Sequence, residues 1–259
     1  MQYSLIGYLW IFVIYAFLGW CVEVAFHTVT SGKFVNRGFL NGPICPIYGV
    51  GMAILIFVLG PLVDNLILLF IGSIILTSIL ELITGYVLEK VFDTKWWDYS
   101  NLPFNIGGYI SLSFSIAWGL GAVFVLNIIH APIHKLISYL DNTVGYVLLL
   151  IFFSYFTIDF IITILGIKEI NNRLRILNEV EEKLNIYSGH IGENIYKGMS
   201  TAIKAFGDSK SEIEAMKLKA KYDKLSKKKG FVHRRLEKSF PNIKDKIAHL
   251  EEHKKPKSQ

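Results

Sequence analysis

LILLFIGSIILTSILELITGYVLEKV, residues 66–91, decides the fold class. Leu, Ile, Phe and Val follow one another almost without relief, and Glu81 is the only charge before the last turn. About 20 apolar residues are needed to cross a hydrocarbon core ~30 Å thick. This segment is therefore long enough to span a membrane as one helix. Four further segments share its character: 3–26, 44–63, 106–129 and 144–167. The second is the weakest, because Pro43, Pro46 and Gly60-Pro61 interrupt it, and a re-entrant segment is the alternative there. The first run has no preceding Lys or Arg and is too long for the core of a cleaved signal peptide, so it reads as a permanent membrane helix.

Composition agrees. The 259 residues are 52% hydrophobic, with a mean hydropathy of +0.42. That places the chain among membrane proteins rather than soluble enzymes. The charge lies elsewhere. Of 27 Lys and Arg residues, Lys33, Arg37, Lys90, Lys95 and Lys135 precede Lys168, and the other 22, Lys168 among them, lie in the tail. The expected fold class is all-α: a polytopic membrane helical bundle of about five spans (1–167), then a cytoplasmic, basic, helical tail (168–259). Lys and Arg collect in the loops after the first and third spans and in the tail, which puts those on the cytoplasmic side and the N-terminus outside. A multi-pass protein of the cell membrane is expected. Trp96, Trp97 and Tyr99 fit an interfacial anchor. Cys21 and Cys45 are too few for a disulfide framework and read as small buried side chains.

Three carboxylates sit inside apolar runs: Glu23, Glu81 and Asp159. Each costs about 2.5–3.5 kcal/mol to place at the centre of a membrane helix, so each is expected to face a bundle interior or a polar path. Helical spacing supports this. Ser73, Thr77, Glu81 and Thr84-Gly85 form one stripe, Ser111, Ser115, Gly119 and Ala122 another. Tyr155, Asp159 and Thr163 align, as do Tyr15, Gly19 and Glu23. The sequence leaves the protonation state of Glu81 open.

Two irregular loops follow the first and third spans. The first holds Asn36-Arg37-Gly38, Gly42-Pro43 and Cys45-Pro46-Ile47-Tyr48-Gly49. The second holds Trp97-Asp98-Tyr99-Ser100, Pro103, Asn105 and Gly107-Gly108. Pro and Gly at this density prevent a regular helix. Glu23 precedes Pro43 by 20 residues and Glu81 precedes Pro103 by 22. This predicts a parallel duplication, with Glu23 and Glu81 in equivalent places. Asp159 is expected to have no loop partner.

Gly19-Trp20-x-x-Glu23, Asn36-Arg37-Gly38-Phe39-Leu40-x-Gly42-Pro43-x-Cys45-Pro46-Ile47-Tyr48-Gly49, Glu81-Leu82-x-Thr84-Gly85 and Trp97-Asp98-Tyr99-Ser100-x-x-Pro103-Phe104-Asn105 resemble the bacterial CmpB-like family of ABC transporter type IV permeases. The resemblance covers about residues 5–167. It implies a permease component but carries over no catalytic or ligand residues. The chain has no GxxxxGK[ST] phosphate loop, so a separate cytoplasmic ATPase is the expected partner. A homodimer is expected to complete a path that five spans build only in part.

The site expectation follows. Glu23 and Glu81 line a polar cavity that opens to the cytoplasm, with Asn36, Tyr48 and Asn105 beside it. Arg37 and Asp98 guard its mouth as an ion pair. No metal, cofactor or intrinsic catalytic activity is expected. One alternative is a membrane-embedded enzyme acting on lipid or a lipid-linked substrate, with Glu81 as general base and Arg37 binding phosphate. Another is a non-transporting membrane scaffold. In the tail, Ile170, Leu174, Leu177, Val180 and Leu184 form a short seam on a helix continuing from the fifth span. Gly189, Gly192 and Gly198 are expected to interrupt it. Residues 210–229 and 231–252 suit either an anionic lipid surface or a solvated bundle. Nucleic acid is not an expected partner, since no binding motif accompanies the charge.

Overall fold

The computed structural model describes residues 3–32, 34–140, 142–196, and positions 217, 220, 232 and 234–236. These divide into two compact units, Met1–Ile164 and Leu165–Gln259. The first is an all-α bundle of polytopic membrane character. It comprises α1 (Leu5–Ser31), α2 (Pro46–Leu59, with a 3-10 turn at Gly60–Leu62), α3 (Leu66–Phe92), α4 (Leu112–Phe124), α5 (His130–Leu140) and the start of α6 (Thr143–Tyr196).

Four helical stretches are long and apolar enough to cross a membrane: Leu5–Ser31, Leu66–Phe92, Leu112–Leu140 and Thr143–Asn172. The segment expected at 44–63 is a shorter apolar helix, Pro46–Leu62. At about 1.5 Å per residue it is roughly 25 Å long, a little less than the hydrocarbon core. Pro46 at its first turn fixes where it can begin, and Gly60-Pro61 fixes where it ends.

Helix ends follow local chemistry. The Ser4 hydroxyl accepts from Gly7 N–H at 3.1 Å and opens α1. The Asn65 side chain does the same for Leu68 N–H and opens α3. Gly32 closes α1 at φ 68°, with its N–H bonded to the Thr28 carbonyl, a conformation that favours glycine. The fourth span starts at Leu112 rather than 106. Residues 105–111 instead form a small hairpin, Asn105–Ile106 (β1) against Ile110–Ser111 (β2), because Gly107 and Gly108 adopt positive φ. Between α4 and α5 the helix widens to a π turn at Val125–Ile129. Pro132 lies just beyond and has no N–H for the Ile128 carbonyl, so the widened turn is the local accommodation.

The passes alternate in direction. Tyr48 and Gly49 of α2 lie against Gly19, Ala16 and Phe12 of α1, while Phe57 meets Tyr8 at 6.0 Å. Leu59 covers Gly72 of α3, and Leu80 faces Gly51. Ser78 of α3 donates to Ser115 of α4 at 2.7 Å, and Ile74 and Phe70 close on Gly119. On α6, Phe153 stacks on Phe12 at 5.9 Å and Asp159 reaches the loop at Asn41. Residues 34–45 and 93–111 therefore lie at one end of the first unit. His130 and Tyr3, joined at 2.9 Å, lie at the other.

The bundle is inside-out relative to a soluble protein. Ile67, Ile71, Ile75, Ile79 and Ile83 form an exposed stripe on α3, while Ser73 and Glu81 are buried. Ser111, Ser115, Gly119 and Ala122 are buried as their spacing predicts. Small residues let helices close up and hydroxyls bond across the contact, whereas apolar side chains lose nothing by facing lipid.

In the second unit, Ile167, Ile170 and Leu236 are buried and Val232 packs on Gly166. The α6 helix runs through Gly189 and Gly192 to Tyr196, so those glycines do not interrupt it. Glycine costs about 1 kcal/mol in a helix interior, which lowers helix stability without ending the element. The rest of the seam's side chains, Gly198 and most of 210–252 lie outside the described residues.

Candidate functional site

Two carboxylate–tyrosine pairs meet among α1, α2, α3 and α4. The Tyr48 hydroxyl, on the first turn of α2, donates to Glu23 Oε1 at 2.8 Å. The Tyr99 hydroxyl, from the loop after α3, donates to Glu81 Oε1 at 3.2 Å. Trp118 of α4 joins the pairs. Its ring meets Tyr48 edge-on at 5.7 Å, and its indole N–H is a weak hydrogen-bond donor to Glu81, on which Glu23 acts electrostatically. Phe114, one turn before Trp118, stacks on Tyr99 at 4.4 Å. Glu81 is 8% exposed, and its Oε2 makes no hydrogen bond of normal geometry. Burial first, and then the Glu81 carboxylate, push the Tyr99 phenol well above its usual range. Tyr99 therefore stays protonated and acts as a donor.

The loop residues divide by what they bond. Arg37 is half-buried and acts electrostatically on Tyr99. Asp98 is exposed and turns back into its own loop. It accepts from the N–H and hydroxyl of Ser100 and lies 3.9 Å from Lys95. These bonds, led by those from Ser100, lower its pKa. Asp98 thus partners Lys95 rather than Arg37, because a neighbour three residues away meets it with little loop closure.

Asn36 and Asn105 hold their loops. Asn36 Oδ1 accepts from Trp20 Nε1 at 2.8 Å and from Gly38 N–H at 2.9 Å, while its amide donates to the Asn41 carbonyl. Asn105 accepts from Gly108 N–H and donates to the Leu102 and Ser100 carbonyls. Both amides bond backbone groups of their own loops, and Asn36 ties its loop to the Trp20 indole as well.

The internal likeness takes a different register from the one expected. Tyr48 lies on Gly19 and donates to Glu23, four residues on. Tyr109 lies on Gly85 and donates to Glu89, four residues on, at 2.7 Å. The same device occurs twice: a glycine seats the ring, and a glutamate one turn later takes the phenol. By this device Glu23 corresponds to Glu89, not Glu81. The shared Gly-x-x-x-Glu spacing was the available signal, and the Pro43–Pro103 alignment obscured it. Glu81 has no counterpart in this repeat.

Asp159 has the partners that sequence reasoning denied it. Its Oδ1 accepts from Asn41 N–H at 3.2 Å and from the Asn41 amide at 2.8 Å. Its Oδ2 accepts from Gly42 N–H at 2.8 Å. Thr163 also bonds the Asn41 amide, at 3.0 Å. Asp159 therefore ties the first loop to α6. Gly42 has no room for a side chain, since one would strike the Tyr155 hydroxyl and Asp159.

At the opposite end, His130 is 2% exposed. Its Nδ1 meets the Tyr15 hydroxyl at 3.0 Å and its Nε2 the Tyr3 hydroxyl at 2.9 Å. Tyr3 continues to His134 at 2.6 Å. Pairing between residues more than 100 positions apart leaves no local spacing signal. Among the described residues, no group of three or more His, Cys, Asp or Glu side chains is arranged to hold a metal ion.

No curated protein and no solved structure matches the chain. A family model does match residues 10–164, which include both loops, all three buried-run carboxylates and Trp118. The chain therefore belongs to the CmpB-like family, whose model is described as "Putative ABC-transporter type IV".

Proposed function

We propose that this protein is the permease component of an ABC-type transporter, with its ATPase supplied by a separate chain. The observation that supports this reading best is the Glu23–Tyr48–Trp118–Glu81–Tyr99 cluster inside a lipid-facing bundle. An intramembrane carboxylate is expensive, and packing alone does not require one. Arg37 stands at the mouth of the cluster, and Asn36, Asn105 and Asp98 shape the two loops around it. The Lys and Arg distribution puts these loops and the tail in the cytoplasm and the N-terminus outside. The loops are then the surface on which an ATPase would dock, and two copies of the bundle would complete the path.

Mild-detergent purification of the tagged full-length chain tests this. A chain bearing a GxxxxGK[ST] loop should copurify in stoichiometric amount, and the reconstituted pair should hydrolyse ATP faster than the ATPase alone. The molar mass should correspond to two copies of the permease. Absence of any ATPase, together with turnover of lipid by the purified chain alone, would overturn the reading in favour of an enzyme.

A further inference from the structure

Glu81 is a carboxylate held in the bundle with one oxygen lacking a hydrogen bond of normal geometry. Oε1 is satisfied by Tyr99. Oε2 is buried and makes no hydrogen bond of normal geometry, the Trp118 indole N–H being a weaker donor to the same carboxyl. Among the described residues Glu81 has no ion pair. A buried acceptor left in this state costs about 1–3 kcal/mol, more if charged, so a fold that keeps one has left a place for something that binds it. Glu23 lies within electrostatic range of it, so two carboxylates contribute to the field there. That field selects for positive charge.

The rings around it narrow the class. Tyr48 and Trp118 meet edge to face, and Tyr99 is held flat by Phe114. Rings present a negative face, and cations sit over them within about 6 Å. Among the described residues no third His, Cys, Asp or Glu side chain joins the two carboxylates as a metal ligand. A substituted ammonium needs none beyond one anionic acceptor, and it gains from aromatic walls.

We propose that Glu81 and Glu23, with the rings of Tyr48, Tyr99 and Trp118, form a binding site for an organic cation carrying a substituted ammonium group. This rests on the permease reading above and names the substrate class for the same site. Glu81 Oε2 takes the charge, Glu23 adds to the field, and the three rings enclose the substituents. The tyrosines keep their hydroxyls on the carboxylates and so hold the acceptors in place before a ligand arrives.

The test is a titration of the purified full-length protein in nanodiscs, read by Trp fluorescence and calorimetry. The probes are choline, tetramethylammonium, the uncharged choline isostere 3,3-dimethyl-1-butanol, and dihexanoylphosphatidylcholine. The two free cations should bind saturably and the neutral isostere should not. Tighter binding of the phosphatidylcholine than of choline would assign the ammonium to a lipid headgroup, and the reverse to a free solute. Glu81→Gln should weaken binding by about 100-fold or more, and Trp118→Leu by about tenfold. Tyr99→Phe keeps the ring while removing the bond to Glu81, so a folded variant remains even if Glu81→Gln misfolds. It should weaken binding several-fold. Equal binding of the neutral isostere, or cation binding unchanged in these variants, overturns the proposal. If no cation binds but the ATPase still copurifies and responds to the chain, the substrate class is wrong and the permease reading stands.

Discussion

Replacing Asp159 by Ala removes the acceptor for three loop donors at once, the Asn41 N–H, the Asn41 amide and the Gly42 N–H, and for the Thr163 hydroxyl at 3.5 Å. The carboxylate is 5% exposed, so water does not readily take its place. Hydrogen bonds to a charged group contribute about 1.5–3 kcal/mol each. The three share one anion and one turn, so their energies do not add. Thr163 also keeps part of the Asn41 amide satisfied. The expected cost is about 3–5 kcal/mol, the range for breaking a buried charged interaction. Asp159→Asn keeps the shape and one acceptor but turns an N–H₂ toward a backbone N–H, and should cost about half as much. The assay is denaturant unfolding of the full-length protein in mixed micelles, with hydrogen exchange at Asn41 and Gly42 as the local readout. Both amides should exchange faster in Asp159→Ala, and Asn41→Ala added to it should cost little more. A loss below about 1 kcal/mol, or unchanged exchange at Gly42, would refute the claim that Asp159 anchors the loop.

Other outcomes follow from the packing and the loops. Gly19→Ala places a methyl on the fixed base of the Tyr48 ring, whereas at Gly121 nothing lies within 4 Å. The first should destabilise by about 1–3 kcal/mol through overpacking, and the second should be neutral or slightly stabilising through helix propensity; thermal melts of both variants in detergent check this. The Ser100 bonds and Lys95 lower the Asp98 pKa in the folded state. Its contribution to the second loop is thus fully present above the ordinary carboxylate range and is lost as pH falls below about 4. Exchange at Ser100 N–H should accelerate over that window in the native protein but show no such step in Asp98→Asn. Arg37→Asp should not be rescued by Asp98→Arg, because Asp98 is held by Lys95 and Ser100; restored ATPase coupling in the double variant would contradict the loop geometry.

How far the sequence predicted the structure differed by kind of signal. Helix identity was legible because membrane helices are long and their polar residues keep a fixed spacing. Ser73, Glu81, Ser111, Ser115 and Gly119 were placed inward on that ground and are buried. The start of α4 was misplaced because an apolar stretch at 106–111 reads the same as hairpin or helix, and only the backbone of Gly107 and Gly108 decides between them. Glu23 and Glu81 were found because a charge in an apolar run stands out. Their tyrosine partners split: Tyr48 is a site expectation from the sequence, whereas Tyr99, although part of the second loop's motif, stands in an aromatic cluster that an interfacial anchor already explains. The Asp159 clamp and the Tyr3–His130–Tyr15 chain join residues 115–127 positions apart, and no periodicity reports such pairs. Glu89 was passed over because it lies near a helix end, where a charge needs no explanation.

The central claim is that Glu23, Glu81 and Tyr99 lie on one polar path reached from the end of the bundle that carries the two loops. Single cysteines at these positions, in a background with Cys21→Ser and Cys45→Ala, test it by reaction with a membrane-impermeant thiol reagent. The reagent is applied to right-side-out and to inverted vesicles. Glu23→Cys and Tyr99→Cys should label only when the cytoplasmic face is exposed. Glu81→Cys should label from that face more slowly, and Ile79→Cys, on the exposed apolar face of α3, should not label from either. Labelling of Glu81→Cys at the Ile79→Cys background rate, or of Glu23→Cys and Tyr99→Cys from the opposite face, would contradict the account.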